Sequence, residues 1–305
     1  MKVLIAGGAG FLGSFLSEKL LEKGNEVHIL DNFASGVMDN LKKINHRVEI
    51  IEQNVIDFRT EVKYNLVINF ASRASRVEWE THPVDVALSN AIGSRNLIET
   101  ALKSDATYIY ASSSEVYGDA NLVPTPENYM GCVSTTGSRS SYDEGKRFGD
   151  ALTKAYEMQY GLKNIILRFF NTYGPRMRGG DFYGRVVDRF IQQAMAGMPL
   201  TVYGDGSQTR SFTFVEDTIN GVLTAIEKGK SGEVYNIGND KQTSILELAR
   251  IVKKVTESSS EITFRELPEN DPKKRAADIT KMRGLGWYPK ISLEEGIERI
   301  IRTKH

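Results

Sequence analysis

The amino-acid sequence predicts an α/β protein built on a doubly wound parallel sheet, and three observations carry that prediction. Short apolar runs of β-type composition recur through the first two-thirds of the chain, longer segments of helical periodicity separate them, and a glycine cluster joins the first run to the first helical segment. Continuous apolar strands alternating with helices are what a parallel sheet requires, because helices cover it on both faces.

Taken in order, strands are expected at 2–7 (KVLIAG), 26–31 (EVHILD), 48–53 (VEIIEQ), 66–71 (LVINFA), 107–112 (TYIYAS) and 164–169 (NIILRF). Between the first two, FLGSFLSEKLLEKG places Phe11, Phe15, Leu16, Leu20 and Leu21 at helical spacing. Beyond about residue 170 the composition changes. YGPRMRGGDFYGR and YGDGSQTRS are rich in glycine, arginine and aromatic residues and read as ligand-bearing loops. Helical patterns return at 184–197, 216–228, 244–257 and 292–302. The expected organisation is a dinucleotide-type domain over 1–170, rejoined by a segment near 212–238, and a smaller C-terminal α/β substrate-binding domain over 171–305. A chain of 305 residues is long enough to bury two such cores.

The 39 basic and 39 acidic residues cancel, so no net field draws the chain to nucleic acid or an anionic membrane, and neither is an expected partner. No uncharged apolar stretch approaches the roughly 20 residues that span a bilayer. The N-terminal apolar run is broken by glycines before it could form a signal core. A cytoplasmic location is the expectation. Cys132 is the only cysteine, so neither an intramolecular disulfide nor a thiolate metal cluster is expected, and no metal site is assigned.

In LIAGGAGFLG, Gly7, Gly10 and Gly13 stand three apart between the first strand and the first helix. A tight turn and a close backbone approach to a pyrophosphate both need residues without side chains, and a helix N-terminus offers N–H groups and positive potential to the anion. This is the glycine pattern of a Rossmann dinucleotide site, with Phe11 and Leu12 in the first helical turn. Asp31 ends the second strand about 20 residues on, where its carboxylate can accept ribose hydroxyls. That carboxylate would repel a 2′-phosphate, and DNFASG holds no Arg or Lys to receive one, so NAD is favoured over NADP. Asn32, Asn54 and Ala71 follow successive strands and are the further candidate cofactor contacts, with Asn90 and the pair described next.

Tyr142 and Lys146 in SYDEGKR lie one helical turn apart. A phenol with a pKa near ~10 is a poor base at neutral pH unless a nearby cation favours phenolate. Ser113 and Glu115, in SSSEVYGD at the end of a sheet strand, are the other candidate catalytic residues. Strand alternation is expected to point them the same way.

With GGAGFLGS, DNF, SSSEVYGD, YDEGKR, RFFNTYGPR, GRVVDRFI, LTVYGDGSQTRSFTFVED and DPKKRAADITKMRGLGW, the chain resembles the extended short-chain dehydrogenases/reductases that modify nucleotide sugars. Within them it looks most like UDP-glucuronate decarboxylases. The resemblance implies that Tyr142, Lys146 and Ser113 act together and that Glu115 is the active-site glutamate. It further implies transient oxidation of the sugar at carbon 4 with NAD, loss of carbon dioxide from the resulting β-keto acid, and reduction to a UDP-pentose. Arg210 and Arg275 would contact the diphosphate, Asn171 and Arg185 would add contacts, and Tyr203 would lie near the uracil. A homodimer would form through a four-helix bundle from segments 84–103 and 142–160.

The chain departs from that pattern in two places. It reads ASRASRVEWE where the decarboxylases carry A-S-P-A-S-P, and STTGSRSSY where they carry N-P-I-G-x-R-x-C-Y. Arg73 is accordingly expected to receive an acidic group or an extra phosphate, or to pair with Glu78 at the surface. A sugar 4,6-dehydratase would carry an Asp where Ser114 stands. A nucleotide-sugar 4-epimerase, a 4-dehydrogenase releasing a keto sugar, a GDP-linked substrate and a non-catalytic NAD sensor are the alternatives.

Overall fold

The computed structural model describes residues 1–177, 186–266 and 274–304. From the N-terminus, β1 (Lys2–Ala6) leads through the glycine cluster into α1 (Phe11–Glu22), followed by β2 (Glu26–Asp31), β3 (Glu49–Glu52) and β4 (Leu66–Asn69). Two short helices, α2 (Arg76–Thr81) and α3 (Pro83–Leu88), continue through a π-helical turn at Ser89–Gly93 into α4 (Ser94–Lys103). Next come β5 (Thr107–Ser113), a 3₁₀ turn at Ser114–Tyr117, the long α5 (Ser140–Tyr160) and β6 (Asn164–Phe169). The remaining elements are β7 (Thr172–Tyr173), α6 (Val186–Met195), β8 (Leu200–Tyr203), β9 (Thr209–Ser211), β10 (Thr213–Phe214), α7 (Val215–Lys228), β11 (Val234–Ile237), β12 (Gln242–Ser244), α8 (Ile245–Val255), β13 (Ile262–Arg265), β14 (Lys274–Arg275), α9 (Thr280–Gly284) and α10 (Leu293–Lys304).

The central sheet has the order β3-β2-β1-β4-β5-β6-β11. β1 pairs in parallel with both β2 and β4, and β2–β3 and β4–β5 are parallel as well. Strand order therefore reverses between β1 and β4, which is where doubly wound sheets open a crevice at their carboxyl ends. Register brings the three strand ends level, with Ala6 opposite both Leu30 and Asn69. Gly7, Asp31 and Ala71 consequently emerge along one edge. On one face, Leu4, Val67, Tyr108 and Ile166 pack in a core with Leu97, Ile98 and Ala101 of α4.

Two local departures from the expected elements have clear causes. The strand expected over 66–71 stops at Asn69, whose Oδ1 accepts the Ala71 N–H at 3.1 Å and turns the chain over Gly7. The helix expected over 84–103 is divided by the π-helical turn, which places buried Asn90 against Gly145 of α5.

The chain divides into two compact units. The first comprises residues 1–116, 133–168 and 222–235, and the second 117–132, 169–221 and 236–305. Within the second unit, β12-β9-β14 form a three-stranded sheet, and β8–β13 and β7–β10 form pairs. Asp217 ties α7 to the approach to α10: its Oδ2 accepts the Lys290 and Ile291 N–H groups at 2.8 Å each, and its carbonyl accepts Trp287 Nε1 at 3.0 Å. Among the described residues, no helix is long and apolar enough to cross a membrane.

Candidate active site

The glycine turn is built by close approach. Gly7 has φ +78°, and its N–H donates to Leu30 O at 2.8 Å. A Cβ there would lie 2.7 Å from the Phe70 carbonyl carbon, and one on Gly13 only 2.2 Å from Gly7 O. Gly10 is the N-cap of α1 and supplies no capping side chain, so the first-turn amides of Phe11, Leu12 and Gly13 face the turn. Asp31 closes it from the other side, its Oδ2 accepting Ala9 N–H and its Oδ1 accepting Phe33 N–H, both at 2.9 Å. Burial pushes the Asp31 carboxyl up, and the Phe33, Ala9 and Asn32 backbone amides pull it back.

This arrangement fits a bound dinucleotide: uncapped helix amides for the pyrophosphate, and a carboxylate with lone pairs remaining for the ribose. Buried Asn90 fits it too. Its Nδ2 donates to Val86 O at 2.8 Å and Ser72 Oγ at 3.2 Å, while its Oδ1 has no partner among the described residues. Asn32 and Asn54 instead form local turns, accepting Ala34 N–H at 3.2 Å and Ile56 N–H at 3.1 Å.

α5 and the end of β5 bring the expected catalytic residues together. Tyr142 and Lys146 are 6 % and 3 % exposed on the α5 face that packs on β5. Contact is this close because Gly149 carries no side chain; a Cβ there would lie 2.0 Å from Tyr110 Oη. Lys146 Nζ donates to Ala111 O at 2.8 Å and sits 5.8 Å from the Tyr142 ring centre. Burial pushes the Tyr142 phenol above its ordinary value. The Ser113 hydroxyl and Arg139 pull it back, whereas Glu115 and Asp143 push the same way as burial.

Glu115 requires a correction to the strand argument. β5 ends at Ser113, and Glu115 belongs to the 3₁₀ turn, its N–H donating to Ser113 Oγ at 3.3 Å. The turn, not strand alternation, sets the direction of its side chain. Arg139 ion-pairs with that carboxylate and lies 3.5 Å from Asp143.

Burial lowers the Lys146 ammonium to about 7, against an upward pull from Asp150. A lysine depressed in the fold is penalised fully below its folded value, and the penalty fades as pH rises from about 7 towards the unfolded value of 10.5. Lys146→Met is therefore expected to gain melting temperature relative to the parent at pH ~6, the gain shrinking as pH rises. Melting curves across that range check this. The lost bond to Ala111 O shifts all points alike, so the slope is diagnostic.

Trp79 and Arg139 are site residues that the sequence reading missed. Trp79 stacks on Tyr142 with ring centres 4.4 Å apart at 17°, and Val86 completes the cluster. The Trp79 indole donates to Arg73 O at 2.9 Å. Arg73 itself pairs with Glu78 and lies 3.6 Å from Asp85, so the structure has the pairing alternative rather than a cation held open for substrate. Arg76 pairs with Glu80. The signal for Arg139 was its helical spacing, three before Tyr142 and four before Asp143; a lone Trp in a short helix gives none.

Asn171, Tyr203, Arg210 and Arg275 lie in the second unit, and Arg185 lies outside the described residues. Arg210 of β9 is the direct register partner of Arg275 of β14. Asn171 reaches the same strand, its Nδ2 donating to Ser211 O at 3.4 Å. Tyr203 carries the Arg189 guanidinium 5.0 Å from its ring centre.

Residues 3–238 match the model of the NAD dependent epimerase/dehydratase family. The chain is 43 % identical over 301 residues to UDP-glucuronic acid decarboxylase 5 of Arabidopsis thaliana, covering 97 % of this chain and 87 % of that protein. It is 40 % identical to UDP-glucuronic acid decarboxylase 1 of Xenopus tropicalis over 303 residues, covering 98 % and 71 %. Among solved structures, UDP-glucose 4-epimerase of Thermotoga maritima superposes with a TM-score of 0.90 at 32 % identity, covering 99 % of this chain and 98 % of that one. UDP-glucuronic acid 4-epimerase of Bacillus cereus, solved with UDP-glucuronic acid and NAD, gives 0.88 at 29 % identity and covers both chains fully.

Proposed function

The chain belongs to the NAD-dependent epimerase/dehydratase family, an enzyme family, and on that premise we propose that it decarboxylates UDP-glucuronate to a UDP-pentose. The observation that carries the reading is a glutamate, Glu115, fixed by an ion pair in the same site as Tyr142, Ser113 and Lys146. Nearly full-length similarity to UDP-glucuronic acid decarboxylases supports it.

When bound, NAD supplies the acceptor and donor of a hydride at carbon 4 of the sugar. Gly7, Gly10, Phe11, Leu12, Gly13, Asp31 and Asn90 are the residues that would hold it, with Ala71, Asn32 and Asn54 at its edges. Tyr142 takes the proton of the 4-hydroxyl and later returns it, and Ser113 holds the same oxygen by hydrogen bonding. Oxidation at carbon 4 makes the sugar carboxylate a β-keto acid, whose loss of carbon dioxide leaves an enolate. Glu115 positions the ring or the water that reprotonates it.

In the second unit, Asn171, Tyr203, Arg210 and Arg275 are the proposed nucleotide contacts. Two arginines in register put like charges side by side, an arrangement that a diphosphate favours. Arg210→Ala and Arg275→Ala are each expected to raise KM for the nucleotide sugar by roughly 10–100-fold, with kcat changed less. Steady-state kinetics check this.

A homodimer is part of the same proposal. Val84, Leu88 and Ile92 are exposed at intervals of four, and Phe148 and Met158 are exposed on α5, which suits a second copy of this chain. Sedimentation equilibrium should return twice the chain mass.

The deciding experiment incubates the protein with UDP-glucuronate and NAD and follows product mass and NADH together. Loss of carbon dioxide without accumulating NADH supports the decarboxylase. An unchanged mass with a new isomer supports the 4-epimerase, the second reading, which similarity to the Bacillus cereus epimerase favours. Accumulating NADH would mean a released keto sugar.

A further inference from the structure

We propose that Arg139 is a positioning residue of this reaction: it holds the Glu115 carboxylate in place and offsets its charge beside Tyr142. The proposal rests on the catalytic reading of Tyr142 and Glu115 given above. Arg139 stands at the entry to α5, one turn before Tyr142, and one guanidinium makes three contacts there. Nη2 ion-pairs with Glu115 from the 3₁₀ turn, and Nε lies 3.5 Å from Asp143 Oδ2 one turn on. Its Cζ lies 5.3 Å from the centre of the Trp79 ring, whose stack on Tyr142 at 4.4 Å fixes the phenol.

These groups are shielded from water. The side chains of Arg139, Glu115 and Asp143 are 25 %, 13 % and 10 % exposed, so solvent and salt screen their charges weakly. A phenol that must ionise here faces two carboxylates, and each disfavours phenolate. Arg139 is the cation that contacts both. Lys146, a second cation near the phenol, is 5.8 Å from the ring centre and bonded to Ala111 O.

The remaining charges on the surrounding elements are matched locally. Arg73 pairs with Glu78 and Asp85, Arg76 with Glu80, and Asp150 on α5 with Arg168 of β6. Glu78 also lies 3.4 Å from His82, and Glu144 lies 3.7 Å from Arg147. The Tyr110 phenol of β5 is neutral, burial pushing it well above its ordinary value. Losing Arg139 would therefore leave Glu115 and Asp143 acting on Tyr142 without their shared counter-charge. A residue that only packs would not alter the titration of the phenol, and this difference makes the proposal testable.

The test uses the full NAD-loaded protein as wild type, Arg139→Gln, Arg139→Lys and the double variant Arg139→Gln/Glu115→Gln. The pH dependence of kcat/KM with UDP-glucuronate is one readout. The other is the ultraviolet difference titration of Tyr142, with the Tyr142→Phe form of each protein as blank, which needs no turnover. Arg139→Gln is expected to lose roughly 10–100-fold in kcat/KM near neutrality, its rising limb displaced to higher pH. The phenol transition should move the same way. Arg139→Lys should restore the limb, and removing the Glu115 charge in the double variant should return the phenol transition towards the parent.

A uniform loss of activity with an unmoved limb and phenol transition would overturn the proposal, as would an unchanged Arg139→Gln enzyme. Should Arg139→Gln fail to fold, Arg139→Met compared with Arg139→Lys decides instead, since the two are close in size and differ in charge: a limb and phenol transition at higher pH in Arg139→Met than in Arg139→Lys support the charge role, and coincident transitions overturn it. If wild type does not convert UDP-glucuronate, the decarboxylase reading fails by itself. The phenol titration then still decides Arg139, since a displacement cancelled by Glu115→Gln supports the charge role and no displacement refutes it.

Discussion

Tyr142→Phe is expected to lower turnover by about 10²–10⁴-fold while NAD content and melting temperature stay near the parent's. The substitution removes one oxygen and keeps the ring. The stack on Trp79 and the packing on Val86 are made by ring carbons, so the small cluster that seats α5 survives. What disappears is the phenol's interaction with the Ser113 hydroxyl, worth about 1 kcal/mol, and the phenol's desolvation disappears with it. Catalysis has no such compensation, because the phenylalanine ring keeps no group that can carry the proton of a sugar hydroxyl. Turnover, NAD retained through purification and thermal melting should be measured on one preparation. A protein that only sensed NAD would be indifferent to the change, and unchanged turnover in an active preparation would remove Tyr142 from the mechanism.

Gly13→Val should act at the other end of the crevice, weakening NAD binding by at least ~100-fold and destabilising the fold by about 1–3 kcal/mol or more. The first added carbon would stand 2.2 Å from Gly7 O and 2.8 Å from Gly8 Cα, and both are backbone atoms with no rotamer to yield. Relief requires α1 to move off the glycine turn, which withdraws the helix amides from the place where a pyrophosphate sits. Gly284→Ala is the matched control, since a Cβ there meets nothing within 4 Å and its φ is not positive. Calorimetric titration with NAD and melting curves for both variants check the contrast. Comparable losses at Gly284 would mean that glycine substitution is harmful in general and not through the turn.

The parts of the site that were legible in the sequence are those whose geometry is local. The glycine turn follows from backbone sterics within a few residues of β1, and the Tyr142–Lys146 pairing follows from helical spacing. The doubly wound parallel class was legible because apolar runs alternating with helices admit few connections. Glu115 was found by its motif but misplaced on the strand, because whether β5 extends past Ser113 depends on its ladder partners and not on the residues themselves. Trp79 and Arg139 stayed hidden for a related reason. Their meaning comes from α2 and the start of α5 being brought onto one phenol, a meeting of residues 60 positions apart. Arg73 illustrates the reverse, since a cation expected near the substrate proves to have its partners on the two short helices that follow it, Glu78 of α2 and Asp85 of α3.

The interleaving of the two units bears on how such a protein can be recombined. Its second unit is drawn from three separate stretches, 117–132, 169–221 and 236–305, with stretches of the first unit between them. A hybrid gene joined to a homologue at one crossover therefore cannot exchange either unit whole. Replacing the second unit whole by shuffling would need three coordinated exchanges, and single-crossover libraries would mostly sample mismatched halves.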